Sequence, residues 1–460
     1  MRLLHAIHDF LPRHRAGSEI YALELCRELG RRHDVTVVCA DFDPMRRHGE
    51  VAWRVHDGVP VVEIVNNQVC ESFEDTYRSP LVGDRLGHVL DVLQPDVVHA
   101  HSLFNLSFDL PAMARARRIP VVATLHDYTL VCPSGGQRLH RAAEHLCREI
   151  DPSRCARCFR ESVFYTHISF GRLTAIARRP GPLQRAALRL SRRYPSLVAA
   201  FARAARRTAV LPVSPSDIER RLAAARRVFD DVDLFVAPSR SMADEYERLG
   251  IERSRIRVSD YGFAPLKPAV DPGGKDEPLR IGYVGTLVWH KGVHVLVDAV
   301  RRLPASSYEV KIFGSPDASP EYAADLRARA AGLPVRFMGA FDRDRAADAY
   351  AAIDVLVVPS LWLENSPLVI HEAFMAGVPV VAARVGGIAD LIEDGRSGLL
   401  YDGSAEGLHA ALRRLMDMPE RGRELARAAP PVMTIADDAR GWEETYAGVV
   451  RRAAEGLLTA

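Results

Sequence analysis

Residues 354–387 read DVLVVPSLWLENSPLVIHEAFMAGVPVVAARVGG, and this stretch decides the fold class. It begins and ends with short apolar runs that are rich in valine. Between them lie a loop and a longer segment opened by Pro367, which suits a helix because proline is favoured in the first helical turn. The stretch therefore predicts a buried strand, a loop, a helix and a second strand, the repeating unit of an α/β protein.

Runs rich in β-branched residues alternate with helical segments along the whole chain, which is typical of parallel sheets covered by helices. The first half is predicted to contain the strands LLHAI, DVTVVCA, VVEI, DVVHAH, VVATLH, DLFVAPS and RIRVSDYG. The second half is predicted to contain LRIGYVG, YEVKIFG, VRFMG, DVLVVPS and PVVAAR. We therefore expect an α/β fold with two Rossmann-like, doubly wound domains that face each other across a ligand-binding cleft.

The domain boundary is predicted at residues 266–278, because this segment is rich in proline, glycine and charge, as linkers are. It separates an N-terminal domain, residues 1–265, from a C-terminal domain, residues 279–435. A cysteine-rich loop and a basic helical insertion occupy residues 132–230 of the first domain. Residues 436–460 read as a helix, and the sequence does not identify the domain on which it packs.

The composition describes a chain without a marked overall charge. Among 460 residues, 61 Lys and Arg nearly balance 59 Asp and Glu, so no attraction to a polyanion such as nucleic acid is expected. No run approaches the roughly 18 consecutive apolar residues of a spanning helix, and the N-terminus lacks a signal-peptide pattern. Seven cysteines in so long a chain do not indicate a disulfide scaffold. These features favour a soluble protein of the reducing cytoplasm.

The loop and helix after Asp354 have the residues of an anion site flanked by carboxylates. Glu364 and Glu372 are separated by seven residues, and the helix start between them offers free backbone amides to a diphosphate. Carboxylates accept hydrogen bonds from hydroxyl groups, so a pair on either side of that start suits a nucleotide sugar. The donor-binding residues expected here are Asn365, Ser366, Pro367, Leu368, Val369 and Glu372.

A second donor segment is YVGTLVWHKGVHVLVDAV, residues 283–300. A strand is predicted to end at Gly285, with Thr286 after it, and a helix to begin near Val293. Lys291 precedes this helix, where its ammonium group can neutralise charge that develops on a leaving phosphate. Gly285, Thr286 and Lys291 are therefore included in the donor site.

The Glu-x7-Glu pair, the Lys-Gly turn, Gly386-Gly387 and the segment IEDGRSGLLY together resemble the retaining GT-B glycosyltransferases of the "glycosyl transferases group 1" family. That family includes bacterial polysaccharide and phosphatidylinositol mannosyltransferases, and the resemblance covers nearly the whole chain outside residues 135–230. It implies that Glu364 contacts sugar hydroxyls, Glu372 holds the ribose and Lys291 binds the diphosphate. The chain departs from the family at Thr286, where an arginine is usual.

The resemblance also implies roles for two residues of the N-terminal domain. Gly17 lies in a strand-to-helix turn that resembles the family's Gly-Gly-x-Glu loop, with Ala16 in place of the first glycine. His126 ends a predicted strand, where the family carries a histidine near the donor sugar. Retention in the family is thought to proceed by same-face attack without a carboxylate nucleophile or a cofactor. The catalytic residues implied are His126, Lys291 and Glu364.

Four cysteines lie in one loop-rich stretch, and the last two have the two-residue spacing of zinc ligands. The hypothesis is a closed structural Zn²⁺ site, and the alternative is a set of unligated thiols. The cysteines concerned are Cys132, Cys147, Cys155 and Cys158.

Residues 162–216 contain ten arginines and no acidic residue. Their apolar residues recur at helical spacing, so the segment is predicted to be a basic amphipathic insertion. One interpretation is peripheral contact with anionic lipid at the inner face of the membrane, and the other is a helical cap with a solvated face.

The sequence thus predicts a retaining glycosyltransferase that moves a sugar from a nucleoside diphosphate sugar to a carbohydrate or lipid-linked acceptor in polysaccharide or glycoconjugate biosynthesis. Two alternatives stay open. One is a catalytically weak nucleotide-sugar-binding scaffold or sensor, which Thr286 motivates. The other is an epimerase or phosphorylase on the same fold.

Overall fold

The computed structural model describes residues 1–13, 15–43, 45–175, 211–266, 278–340 and 346–456, with the backbone alone for residues 170–175. The chain divides into two compact units. The first unit comprises Met1–Ala237, Ala243–Ser259 and Ile435–Ala460, and the second comprises Pro238–Met242 and Asp260–Thr434.

The described strands are β1 (Arg2–Ile7), β2 (Asp34–Asp41), β3 (Val51–His56), β4 (Val59–Val65), β5 (Val97–Ala100), β6 (Val121–Thr124), β7 (Leu139–His140), β8 (His145–Leu146), β9 (Leu234–Ala237), β10 (Ile256–Val258), β11 (Leu279–Val284), β12 (Tyr308–Phe313), β13 (Val335–Gly339), β14 (Val355–Val358), β15 (Val380–Ala383) and β16 (Leu399–Tyr401). The described α-helices are α1 (Gly17–Leu29), α2 (Pro80–Leu93), α3 (Leu110–Ala116), α4 (Pro152–Glu161), α5 (Val163–Ala175), α6 (Pro215–Asp231), α7 (Arg240–Arg248), α8 (Val293–Val300), α9 (Pro320–Arg329), α10 (Ala346–Ala351), α11 (Leu368–Ala376), α12 (Ile388–Leu391), α13 (Ala405–Asp417), α14 (Pro419–Arg427) and α15 (Ile435–Ala454).

The first unit is built on an eight-stranded sheet in the order β10-β9-β6-β5-β1-β2-β4-β3. All neighbours are parallel except β3, which runs antiparallel to β4 at the edge. Successive strands are added on one side of β1 and then, from β5 onward, on the other. The strand order therefore reverses between β1 and β5, where Leu3 pairs with Val97. Ligands of doubly wound sheets bind outside the carboxyl ends of the strands at such a point.

The second unit repeats this plan with six parallel strands in the order β13-β12-β11-β14-β15-β16. Here the reversal lies between β11 and β14, where Ile281 pairs with Val355. Both faces of the sheet are covered by helices, so β14 and β15 are apolar along their whole length, and β11 carries one charged residue, Arg280. The carboxyl ends of β11 and β14 are consequently the expected ligand edge of this unit.

Helix α15 packs within the first unit, although its sequence follows the second. Tyr21 in α1 donates a hydrogen bond of 2.9 Å to Asp438, and the Trp442 indole donates to the Tyr21 hydroxyl at 3.0 Å. Trp442 and Tyr446 are almost wholly buried. The packing of residues 436–460, which the sequence left open, is thus accounted for by α1 and the end of β5.

Every strand predicted from the sequence is present, and four others were missed. Strand β3 was overlooked although its side chains alternate between half-buried and exposed, as in an edge strand. Strands β7, β8 and β16 have only two or three residues. Pro367 was expected in the first turn of α11, whereas it lies one residue before that helix, at the N-cap. Most of the predicted linker and of the basic insertion, residues 267–277 and 176–210, lies outside the described residues.

Candidate functional site

Lys291 and Glu364 are brought together by the two neighbouring strands at which the order of the second sheet reverses. Lys291 follows β11 in a short 3-10 helix that ends at Gly292, where φ is +70°. A Cβ atom on Gly292 would lie 1.8 Å from the Pro359 carbonyl oxygen, so only glycine permits this close approach. The Leu361 amide also donates to the His290 carbonyl at 2.9 Å. The backbone therefore fixes the Lys291 turn against the loop that carries Glu364.

The side chains of these two residues form an ion pair. Lys291 Nζ lies 2.7 Å from Glu364 Oε1, which also accepts a hydrogen bond of 2.5 Å from the Ser360 hydroxyl. Lys291 Nζ is 5.2 Å from the centre of the Trp362 ring, within the range of a cation–π contact. Glu364 is only 5% exposed, whereas the lysine side chain is 28% exposed. The carboxylate is thus held in place, and the ammonium group faces both protein and solvent.

Helix α11 begins beside Glu364 and presents its first turn to the same loop. Pro367 at the N-cap has φ of −65°, which directs the chain into the helix. The amides of the first turn, including those of Leu368 and Val369, have no acceptor within an α-helix, and they carry the positive end of its dipole. Glu372 lies on this helix, buried, and accepts a hydrogen bond of 2.8 Å from the Tyr350 hydroxyl. The segment therefore combines an anion-binding helix start with two ordered carboxylates.

Gly386 and Gly387 lie against the backbone of the Glu364 loop. The Gly387 amide donates to the Glu364 carbonyl at 2.7 Å. A Cβ atom would lie 1.6 Å from the Asn365 carbonyl oxygen at Gly387 and 2.3 Å from the Glu364 carbonyl oxygen at Gly386. The glycine pair therefore serves to position Glu364 and Asn365, since no other residue allows so close a packing.

The side chains of Asn365 and Ser366 are buried in hydrogen bonds within the protein. Asn365 donates to the Tyr261 hydroxyl at 2.9 Å, and the Ser366 hydroxyl donates to Asp260 at 2.7 Å. Ser366 Oγ also lies 2.9 Å from His371 Nε2. Burial lowers the pKa of His371, and the Asp260 carboxylate acts in the opposite direction.

The sequence missed Asp260, Tyr261 and His371 as supporting residues. The polar group SDYG at the end of the predicted strand RIRVSDYG was the signal that could have indicated the first two.

The expected phosphate cation after β11 is absent because residue 286 is threonine, and its side chain is exposed. Gly285 before it has φ of +151°, a backbone conformation that favours glycine. The Tyr283 hydroxyl donates to the Thr286 carbonyl at 2.9 Å, which orders this turn. His290 is buried, with its ring edge-on to Trp362, so it is a packing residue in the structure.

Gly17 lies in the first unit, as the first residue of α1. The Glu19 carboxylate accepts hydrogen bonds of 3.1 Å from the Ala16 amide and the Ser18 hydroxyl, and it is buried. Ala16 has extended backbone angles, φ −105° and ψ 179°, which any residue adopts. The alanine that replaces the expected glycine is therefore accommodated without strain.

His126 also lies in the first unit, two residues after β6, at the end of a chain of histidines. Its Nε2 is 3.0 Å from His101 Nδ1, and His101 Nε2 is 3.0 Å from His5 Nδ1. Burial lowers the pKa of His5 and of His126 to about 3, and it lowers that of His101 well below 6.5. The chain is thus neutral, and each ring donates at one nitrogen and accepts at the other along it.

A fourth histidine, His99, packs on this chain. Its ring is stacked on that of His101 with centres 4.1 Å apart, and its nitrogens contact Tyr446 and Thr124 at 2.7 and 2.8 Å. The ligand atoms of His5, His99 and His101 lie within 4.8 Å of one another. Every one of these three rings is already in a hydrogen bond with another side chain.

The four clustered cysteines lie in the first unit and line one small cavity. All seven cysteines of the chain are free thiols in the structure. Among the helices of the described residues, none has the length and hydrophobicity that a membrane span requires.

Comparison with known proteins identifies relatives and a shared fold. The chain is 34% identical over 254 residues to D-inositol 3-phosphate glycosyltransferase 2 of Catenulispora acidiphila, covering 49% of this chain and 57% of that protein. It is 33% identical over 207 residues to glycogen synthase of Thermus thermophilus, covering 41% of this chain and 47% of that protein. The chain thus spans about half the length of the curated relatives it matches.

Solved structures extend the similarity over the whole chain. HepE of Anabaena, solved with UDP and glucose, superposes with a TM-score of 0.59 at 16% identity, covering 100% of both chains. The catalytic domain of starch synthase IV of Arabidopsis thaliana, bound to ADP and acarbose, superposes with a TM-score of 0.58 at 15% identity, covering 98% of this chain and 99% of that chain. These similarities confirm the GT-B fold predicted from the sequence.

Two family models match the chain and confirm the resemblance found in its motifs. "Glycosyl transferases group 1" matches residues 278–418, the part that contains Lys291, Glu364 and Glu372. "Glycosyltransferase Family 4" matches residues 15–262, more than half of the chain. The chain therefore belongs to glycosyltransferase family 4.

Proposed function

We propose that this chain transfers a sugar from a nucleoside diphosphate sugar to a hydroxyl group of a carbohydrate or lipid-linked acceptor, with retention of the anomeric configuration. The observation that carries the proposal is the Lys291–Glu364 ion pair beside the start of α11. A cation and a fixed carboxylate thus lie beside a helix start that suits an anion, at the ligand edge of a doubly wound sheet. Relatives and structural neighbours named for glycosyl transfer support it, and HepE was solved with UDP and glucose.

Each group has one role in the proposed reaction. The first-turn amides of α11 and Lys291 bind the diphosphate, Glu364 accepts hydrogen bonds from sugar hydroxyls, and Glu372 holds the ribose. The acceptor oxygen attacks the anomeric carbon on the face that the diphosphate leaves, and the carbon–oxygen bond to phosphate breaks. The leaving diphosphate takes the bonding electron pair and receives the acceptor's proton. Positioning and charge neutralisation by the protein supply the catalysis, and no step uses a cofactor.

Gly17 and His126 are the residues of the first unit that we propose for substrate binding. The amides at the start of α1 suit a phosphate or sugar oxygen, and His126 suits a sugar hydroxyl. His101 contacts His126 through the hydrogen bond to its Nε2 and through stacking of the two rings, whose centres lie 5.3 Å apart. His101 is therefore a positioning residue in this proposal.

A panel of nucleotide sugars tests the proposal. The full chain is incubated with UDP-, GDP- and ADP-sugars, and donor affinity and release of nucleoside diphosphate are measured. We expect one class of donor to bind and to be cleaved. NMR spectra taken soon after cleavage, before the anomers of the released sugar equilibrate, are expected to show the anomeric configuration of the donor. Glu364→Gln is expected to lose cleavage, while Glu393→Gln on the exposed surface serves as the matched control. Binding of no donor would overturn the proposal, and an inverted product would overturn the retaining mechanism.

The second candidate function is a nucleotide-sugar-binding scaffold or sensor, which the exposed Thr286 favours because a phosphate cation is missing there. The same experiment separates the two. A donor that binds at micromolar concentration but is not cleaved with any acceptor in a panel of sugars and lipid-linked sugars identifies the scaffold.

The arginine-rich residues 162–216 are proposed to bring the protein to anionic membrane surfaces, where lipid-linked acceptors reside. Each arginine near such a surface contributes about 1 kcal/mol, so ten are ample for reversible attachment. Flotation with vesicles of neutral lipid, with and without phosphatidylglycerol, measures this. Equal recovery with both vesicles would contradict the membrane contact and favour a helical cap.

A further inference from the structure

Four cysteine side chains from three separate parts of the first unit line one cavity. Cys132 lies in the loop after β6, Cys147 directly follows β8, and Cys155 and Cys158 lie on α4. The cavity has a volume of about 20 Å³, room for a single atom-sized occupant. Cys155 and Cys158 are three residues apart on a helix and therefore share one face of it. Convergence of four thiols on one small space is the arrangement of a structural metal site.

The backbone around the cavity orders each of the three parts. The Cys132 amide donates to the Tyr128 carbonyl at 2.8 Å, and the Cys147 amide donates to the Arg138 carbonyl at 2.8 Å. Asp151 caps α4 by accepting from the amides of Ser153 and Arg154. Three separate elements therefore place their cysteines around the same cavity. They are a loop, the end of a short hairpin and one face of a capped helix.

Helix α4 is packed through the buried Phe159, whose ring centre lies 5.0 Å from that of Phe73, but the hairpin before it has little apolar packing. Residues 141–145 and 148–149 are exposed, and β7 and β8 have only two residues each. Short segments with so small a core are usually stabilised by disulfides or a metal ion. In this structure all four thiols are free.

We propose that Cys132, Cys147, Cys155 and Cys158 bind one Zn²⁺ ion as thiolates and that this ion fixes the hairpin and α4 on the first unit. Four thiolates and one divalent cation leave two negative charges. Arg138, Arg154 and Glu149 also line the cavity, and Arg138 is already paired with Glu245. Among the described residues, the histidine trio has its ligand atoms within 4.8 Å of one another and the four thiols do not, so the proposed site requires the sulfur atoms to move closer together when zinc binds.

The histidine trio is a poorer metal site because a metal ion there would displace hydrogen bonds that these side chains already make. His99 is hydrogen-bonded to Tyr446 and Thr124 through its two nitrogens, and His5 and His101 are hydrogen-bonded to each other. The thiols have no comparable network, and their contacts of 3.7 and 3.9 Å to carbonyl oxygens are weak.

Metal analysis of the full chain, purified without a metal-binding tag, tests the proposal. We expect about one Zn²⁺ per chain after dialysis, and at least a tenfold lower content in Cys155→Ser and in Cys132→Ser. Cys39→Ala, which removes a buried thiol in β2, is the matched control and is expected to keep the zinc. A strong chelator is expected to lower the Tm of the wild type. Zinc at full stoichiometry in Cys155→Ser would overturn the proposal.

Cobalt substitution of the wild type keeps the test independent of whether the variants fold. We expect Co²⁺ to give the thiolate-to-metal charge-transfer absorption and the intense visible bands of a tetrahedral thiolate site. Cobalt spectra without charge-transfer absorption would place the metal elsewhere, and non-reducing mass spectrometry that finds two disulfides among these residues would exclude the site. Either result would overturn the proposal while leaving the donor site untouched.

Discussion

Lys291 Nζ and Glu364 Oε1 lie 2.7 Å apart although 73 residues separate them in the chain. The pair forms because β11 and β14 are neighbours in the sheet and both residues follow the carboxyl ends of these strands. In the structure, the Lys291 ammonium group is paired with the Glu364 carboxylate. A diphosphate bound at the start of α11 would compete for the same ammonium group, so donor binding and release of Glu364 toward sugar hydroxyls are expected to be coupled.

Replacement of Lys291 by methionine is expected to weaken donor binding. A hydrogen bond to a charged group contributes about 1.5–3 kcal/mol, so the dissociation constant rises about ten- to hundredfold. Calorimetric titration with the donor identified in the panel measures the change. Lys291→Arg keeps the positive charge, so its donor affinity is expected to fall less than that of the methionine variant. Equal affinity in the methionine variant and the wild type would contradict the diphosphate role.

Glu372→Gln is expected to weaken donor binding by a similar factor of about ten to a hundred, because an ionised acceptor for the ribose hydroxyls is lost. Tyr350→Phe removes the hydroxyl that donates to Glu372 at 2.8 Å and is expected to have a smaller effect in the same direction. Nucleoside diphosphate alone is the ligand to titrate, since it carries the ribose without the sugar. A loss confined to the sugar-bearing donor would assign Glu372 to the sugar instead.

Gly387→Ala is expected to disrupt the donor site and to lower the Tm. The new Cβ atom would lie 1.6 Å from the Asn365 carbonyl oxygen, so the loop that carries Glu364 must move. Gly441→Ala is the control, because no atom lies within 4 Å of a Cβ there and alanine favours the interior of α15 by about 1 kcal/mol. Thermal unfolding and donor titration of both variants measure the contrast. Normal donor binding in Gly387→Ala would show that the loop tolerates displacement.

The stability of the protein is expected to fall as the pH decreases below about 6.5, the pKa of an unfolded histidine. Burial lowers the pKa of His5 and His126 to about 3, so the unfolded chain binds more protons between these values. Each such histidine contributes a loss of about 1.4 kcal/mol per pH unit in that window, and nothing above it.

Urea unfolding between about pH 7 and pH 5 measures this slope. His5→Leu is expected to flatten the slope by about one proton's contribution. Identical slopes in the wild type and His5→Leu would contradict the neutral state of the buried chain.

Thr286→Arg is expected to tighten donor binding, because it supplies a second cation after β11 next to Gly285. A charge-assisted contact with phosphate makes the expected gain about tenfold or more at low salt, and the gain shrinks as ionic strength rises. Thr286→Gln is the control for side-chain size. Weaker binding in the arginine variant would show that this turn does not face the diphosphate.

The sequence predicted the elements well because strands of buried parallel sheets are short valine-rich runs, and those runs are unmistakable in β5, β14 and β15. It placed Glu364 in a loop after a buried strand and Lys291 before α8. Sequence spacing alone could not show that these two side chains touch, since strand order is a tertiary property. The resemblance to a family assigned both residues to the donor site but did not predict that they form an ion pair.

The histidine chain illustrates what sequence reasoning misses. His5, His101 and His126 each lie near the carboxyl end of a different strand, and only the order β6-β5-β1 makes them neighbours. Each histidine alone is as consistent with a solvated loop as with a buried network. A histidine within or shortly after each of three neighbouring strands was the signal, and its meaning depends on the order of the strands in the sheet.

The return of α15 to the first unit has a consequence for how the protein is made. The second unit's main segment, Asp260–Thr434, must leave the ribosome before the residues that cover Tyr21 and the end of β5 exist. At a translation rate of 5–20 residues per second, these 175 residues take roughly 9–35 s. The part of the protein that is synthesised first is therefore the part that finishes folding last, and during this interval the nascent chain offers an apolar surface to chaperones.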